Sequence, residues 1–110
     1  MLFPKLRSIA TPRVITLPAD ATLAQAAQRM YHHNIRAIVV THGKGYRLLL
    51  SSLLLRLQIQ NVPLTTPLNQ LDLPEPAILP PEESVLEGFK AIRNEAEHIC
   101  LVNGEGSLEG

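Results

Sequence analysis

Few residues in this 110-residue chain are of the types that chemistry needs, and each type makes a geometric demand. A nucleophilic thiol needs an exposed, electropositive site and a partner base. Cys100 instead sits among Ile99, Leu101 and Val102, which predicts a buried, inert thiol. A helical metal site places two imidazoles on one face, at i and i+4. His32, His33, His42 and His98 fall at a predicted helix end, a turn and a strand edge without that spacing, so solvent-facing histidines are expected. Glu82-Glu83, beside Pro80-Pro81, has the form of an acid pair. Acidic residues ahead of a helix also suit its dipole, and that is the role expected of them. The glycines of His42-Gly-Lys-Gly45 and Asn103-Gly-Glu-Gly106 lack the spacing of a phosphate loop and read as hairpin turns. Ser51 remains. A serine at a helix start either caps the helix or, with the free amides there, holds a phosphate.

The elements that must position these residues come from an aliphatic chain. Hydrophobic residues make up 45% and aromatics 4%, with no Trp, so the core must be built from Leu, Ile, Val and Ala. The length suits one domain with a real core and not two independent ones. Ten basic and ten acidic side chains cancel, which is not the basic footprint of a nucleic-acid binder. A single cysteine excludes an internal disulfide and fits a reducing compartment, so a cytoplasmic location is expected. Met1 to Arg7 lacks the apolar core and cleavage site of a signal peptide. The oiliest stretch, RLLLSSLLLR from Arg47 to Arg56, holds eight residues between its arginines, far below the ~20 that cross a bilayer. No membrane span is expected.

Shifted by 62 positions, the chain aligns with itself without a gap. Leu6 falls on Leu68, Pro12 on Pro74, Leu17-Pro18 on Leu79-Pro80 and Val40 on Val102; structural roles are kept where identities are not. In the first copy, Val14-Ile-Thr-Leu-Pro18 reads as a strand. Thr22 and Gln25 form a capping box, and Leu23, Ala26, Ala27 and Met30 make one helical face. Ala37 to Val40 and Tyr46 to Leu50 are two further strands, antiparallel across the turn at Thr41 to Gly45. Ser51 or Ser52 then caps a helix with the face Leu53, Leu54 and Leu57 and Leu55 as a further candidate, so the oily run is a strand–helix corner. Residues 60–67, rich in turn formers, cross between the copies. The second copy offers Ala77 to Pro80 as strand, Ser84 and Glu87 as capping box, and Val85, Phe89 and Ile92 as helix face with Gly88 in the place of Ala26. Ile99 to Val102 is its next strand and Asn103 to Gly106 its turn.

The stretches LRSIATPRVITLPADATLAQAAQRM, AIVVTHGKGYRLLLSSLLL, LNQLDLPEPAILPPEESVLEGFKAI and ICLVNGEGSLEG, in that order, resemble a tandem pair of CBS domains (the cystathionine-β-synthase repeat, or Bateman module). The resemblance covers nearly the whole chain. It implies an α/β fold (an α+β sandwich) of two β-α-β-β-α repeats packed through their sheets. Residues 1–62 would be the first repeat and 63–110 the second, the latter lacking its last strand and helix.

The resemblance also implies a regulatory, non-catalytic role. Modules of this kind bind adenine ligands such as AMP, ATP or S-adenosylmethionine in clefts between the copies, control an attached output domain, and dimerise through helix faces. A homodimer and an output domain beyond Gly110 are therefore expected. The family pattern at the third strand is Gly-apolar-apolar-Thr/Ser-x-x-Asp. Here the hydroxyl is kept as Ser51, while the Gly position is Leu48 and the Asp position is Leu54. Leucine accepts no hydrogen bond, so a ribose would lose a charge-assisted partner worth ~1.5–3 kcal/mol. The first cleft is expected to be degenerate, and the second would use residues past Gly110, which matches the family glycine. Arg13 and Val14, with their counterparts Glu75 and Pro76, stand where the family lines the base pocket. A ligand-free structural dimerisation module, using Leu53, Leu54 and Leu57 as its contact, is the alternative.

Overall fold

The computed structural model describes residues 3–11, 14–43, 45–93 and 98–110. In chain order they form β1 (Thr16–Pro18), α1 (Leu23–His33), β2 (Ala37–His42), β3 (Gly45–Leu50), α2 (Ser51–Ile59), β4 (Ala77–Leu79), α3 (Val85–Arg93) and β5 (Ile99–Leu101). Short 3-10 turns at Leu6–Ser8 and Leu68–Gln70 precede β1 and β4. The fold is mixed α/β with two sheets. Residues 15–75 form one compact unit; the described parts of 1–14 and 76–110 form the other.

In the unit of residues 15–75, β2 is central, parallel to β1 and antiparallel to β3, with Val39 opposite Leu48 and Val40 opposite Arg47. Val14 and Ile15 lie outside β1, which is shorter than the apolar run, although the Ile15 carbonyl still accepts from the Val39 N–H at 3.2 Å. The capping box starts α1 as expected. Thr22 Oγ1 accepts from the Gln25 N–H at 3.2 Å, and the Thr22 N–H donates to Gln25 Oε1 at 2.9 Å. Asn34, at φ 50°, ends the helix in the left-handed conformation that a short polar side chain tolerates. Leu23, Ala26 and Met30 are its buried stripe, packed with Leu17, Ile38, Val40 and Leu49.

The segment after α2 completes this core. The Leu68 N–H donates to the Ala21 carbonyl at 2.8 Å, the Asn69 N–H to the Ala19 carbonyl at 2.8 Å, and the Leu23 N–H to the Thr66 carbonyl at 3.0 Å. One of these bonds satisfies an amide that the helix start leaves open, the other two satisfy carbonyls of the loop before it, and together they seat Leu68, only 1% exposed, in the core.

The other unit repeats this arrangement bond for bond. The Leu6 N–H donates to the Glu83 carbonyl at 2.8 Å, the Arg7 N–H to the Pro81 carbonyl at 3.0 Å, and the Val85 N–H to the Pro4 carbonyl at 2.9 Å. Each partner is the 62-residue counterpart of the corresponding one in residues 15–75. Strands β4 and β5 are parallel, with Ile78 opposite Cys100, and Ser84 Oγ accepts from the Glu87 N–H at 3.4 Å. The turn at Asn103 is held by its side chain, whose Oδ1 accepts from the Glu105 and Ser107 amides at 2.9 and 3.0 Å; Gly106 takes φ +83° there. The chain then runs back along β5, with the Glu109 N–H on the Leu101 carbonyl and the Leu101 N–H on the Gly110 carbonyl. Because each leading turn packs where its bonds lie, the compact units are offset from the sequence copies 1–62 and 63–110.

Two expectations need correction. The face Val85, Phe89 and Ile92 is not a buried stripe: Phe89 is 63% and Ile92 45% exposed. The stripe is centred on buried Gly88, where a Cβ would lie 2.8 Å from Leu6 Cδ2. Phe89 is turned about 100° away from it. Nor does a serine cap α2. The N-cap position is Leu50, at φ −93° and ψ 150°, and no side-chain hydrogen bond caps the helix. Leu50 is the last residue of the β3 ladder, opposite Ala37, so the seam falls one residue before the serine.

Two stability comparisons follow from this packing. Leu68→Ala is expected to lower unfolding free energy by about 2–5 kcal/mol in urea, whereas Leu55→Ala, at a side chain 65% exposed, changes it by less than about 0.5 kcal/mol. Thr22→Ala, which removes a real cap, is expected to cost about 1 kcal/mol, and Ser51→Ala less than about 0.5 kcal/mol.

Candidate functional site

The β3–α2 corner is the place where the sequence puts a phosphate contact, and its geometry follows from the ladder that leads into it. Leu49 and Leu48 are buried, and the Leu48 N–H donates outward to the Pro74 carbonyl at 2.9 Å. The chain enters α2 at half-buried Ser51, whose own N–H is taken by the Arg36 carbonyl at 2.8 Å. The amides of residues 52 and 53 have no acceptor within the helix. With the Ser51 hydroxyl, which does no capping, they are the groups that this corner offers to an anion.

The two leucines at the expected Gly and Asp positions are taken up in apolar packing. Leu48 is buried in β3, and Leu54 packs half-buried against the core of its unit together with Leu53 and Leu57. The apolar residues of α2 that face outward are instead Leu55 and Ile59, the latter 81% exposed. The contact face expected from Leu53, Leu54 and Leu57 is thus largely occupied internally, and its outward neighbours are one position round the helix.

Of the other candidate pocket residues, Arg13 lies outside the described residues. Val14 is half-buried and belongs to the other compact unit. Their counterparts differ in kind. Pro76 is buried, while the Glu75 carboxylate pairs with Arg47 Nη2 at 3.0 Å, and Arg47 Nη1 also donates to the Tyr46 carbonyl. No motif pointed to that pair.

The remaining chemical residues are accounted for by their surroundings. Cys100 is buried, and desolvation pushes its thiol above the ordinary range. All four histidines are exposed, and among the described residues no three His, Cys, Asp or Glu gather as a metal cluster would. Glu82 does not serve the helix dipole alone. It pairs with Lys5 Nζ and Arg7 Nη2, each at 2.7 Å, and the Lys5 hydrogen bond, with the two positive charges, holds its carboxyl below the usual range. Among the described residues, no helix is long and apolar enough to cross a membrane.

Residues 6–49 match the family model of the CBS domain. No curated protein matches the sequence. Solved structures match its fold at low identity. A hexameric CBS-CP12 protein from bloom-forming cyanobacteria has a TM-score of 0.82 at 19% identity, covering 100% of this chain and 64% of that one. An AMP-complexed CBS domain protein from Pyrobaculum aerophilum has a TM-score of 0.82 at 19% identity, covering 96% and 83%. A hemolysin-like, CBS-containing protein of Oenococcus oeni has a TM-score of 0.80 at 13% identity, covering 98% and 82%. The chain thus spans less than two thirds of the first of these proteins. Residues 6–49 are thus similar to a CBS domain, and the chain has the fold of CBS-pair structures.

Proposed function

We propose that this chain is the sensory part of a cytoplasmic regulatory protein. It binds an adenine nucleotide (AMP, ATP or S-adenosylmethionine) and thereby controls an output domain attached beyond Gly110. The observation that carries this reading is the likeness in fold to a CBS protein complexed with AMP. It is supported locally by Ser51, whose hydroxyl stands beside open helix amides and is not used as a cap. No catalytic role is assigned to any residue. A ligand controls such a module by preferring one arrangement of it over another, and shifts the equilibrium only by that preference.

Leu54 makes the first cleft a weak one, since core packing occupies the position from which a carboxylate would hold the ribose. Gly110, at the position of Leu48, keeps the family glycine, and the second cleft is proposed as the stronger. Arg13 and Val14 are proposed to line the base pocket.

A second reading is favoured by one specific observation. Leu55 and Ile59 leave an apolar strip on α2 exposed, and a structural neighbour is hexameric. In this reading the chain is a ligand-free association module.

Calorimetric titration of AMP, ATP and S-adenosylmethionine into a chain extended past Gly110 distinguishes the two. The nucleotide reading expects binding by at least one ligand in the millimolar range or tighter. Ser51→Ala should weaken binding at the first cleft about tenfold, through loss of a hydrogen bond to charge, and leave the second cleft unchanged. Absence of heat with all three at millimolar ligand removes that reading. A dimer in sedimentation whose mass ignores nucleotide then supports the second, and a monomer at all concentrations removes it too.

A further inference from the structure

The leading turn of each copy is seated by the same three backbone hydrogen bonds, yet the two turns are held differently beyond them. At Leu68 the turn carries Pro67 and Asn69 as its flanks, and the leucine is fully enclosed in the core cluster that also holds the completely buried Ala26. At Leu6 the flanks are Lys5 and Arg7, and the leucine rests in the notch left by Gly88. Lys5 Nζ meets Glu82 Oε2 at 2.7 Å; Arg7 meets Glu82 Oε1 through Nη2 at 2.7 Å and Nε at 2.8 Å; Arg7 Nη1 meets Glu109 Oε1 at 3.2 Å. These four side chains tie three separate segments of one unit together. In the sequence, the 62-residue counterparts of Lys5, Arg7, Glu82 and Glu109 are Pro67, Asn69, Asp20 and Arg47, which cannot form the same network.

Exposed ion pairs contribute little singly and are screened by salt. Here one guanidinium joins two carboxylates, and the lysine shares one of them, so the members hold each other in place. The Lys5, Arg7 and Glu82 side chains are all more than half exposed and reachable by counterions.

We propose that residues 3–11 are a salt-sensitive clasp: a segment docked on the unit of residues 76–110 like a bound peptide, with Leu6 in the Gly88 notch and Lys5 and Arg7 on Glu82 and Glu109, and released when that ionic network is screened. Release uncovers the Gly88 notch and the start of α3. It gives the chain a two-state element independent of any ligand at the β3–α2 corner. The turn at Leu68, seated without charges, stays closed under the same conditions.

The repeat supplies its own control. Amide hydrogen exchange on the full chain reads local opening residue by residue. The clasp amides are those of Leu6, Arg7 and Val85, and their counterparts are those of Leu68, Asn69 and Leu23. Raising sodium chloride from about 0.02 M to about 0.5 M shortens the Debye length severalfold. The first three amides are expected to exchange about three- to tenfold faster, with the second three changing less than about twofold. Glu82→Gln at low salt should accelerate the same three amides and shrink their response to salt to what the remaining Arg7–Glu109 pair gives. If all six amides answer salt alike, or if Glu82→Gln leaves the clasp amides at their original rates, the proposal is overturned.

Discussion

Seating a leucine turn on the start of a helix is the interaction on which this architecture depends. A helix beginning beside a parallel strand leaves the amides of its first turn open, as the loop before it leaves its carbonyls, and burying that end without partners would cost about 1–3 kcal/mol per group. Here a distant segment supplies them. Residues 66–69 close α1, and residues 4–7 close α3, by bonds that correspond one to one. Each seating also places a leucine in the core of the unit it joins, so hydrogen bonding and apolar burial are secured in one step. Among the described residues one sheet has three strands and the other two, and a two-stranded sheet is too small to stand alone.

The same economy shapes the β3–α2 corner. Its strand and helix meet without a capping side chain, because the ladder of β2 and β3 holds Leu50 to its last residue. Ser51 is then left at the first helical position with a hydroxyl that stability does not require. Leu54, three residues on, has been absorbed into the core. Open amides and the Ser51 hydroxyl thus stand on one side of the corner and apolar packing at Leu54 on the other.

How much of this could be read from the residues depended on range. The Thr22–Gln25 box, the α1 stripe and the pairing of β2 with β3 all rest on periodicity and short-range hydrogen bonding, and they were readable. The 62-residue repeat was readable too, including the equivalence of Leu6 and Leu68. What that equivalence does was not readable, since the partners lie tens of residues away and no local pattern marks a carbonyl as an acceptor. Phe89 misled because its size drew the face toward it, whereas Gly88, matched in the repeat to Ala26, is where the packing is closest. Ser51 misled for a related reason. Sequence shows a serine before a helix but not which residue the strand releases last. The ion pairs of Glu82 join residues some 75 positions apart, beyond any spacing rule.

The claim that two leading turns are seated identically is open to direct measurement by through-hydrogen-bond scalar couplings in the isotope-labelled chain. The account requires a coupling from the Leu68 amide nitrogen to the Ala21 carbonyl carbon and, in the same spectrum, one from the Leu6 amide nitrogen to the Glu83 carbonyl carbon. A spectrum with the first and without the second would contradict it, because the segment before β1 would then not close the second helix as the segment before β4 closes the first.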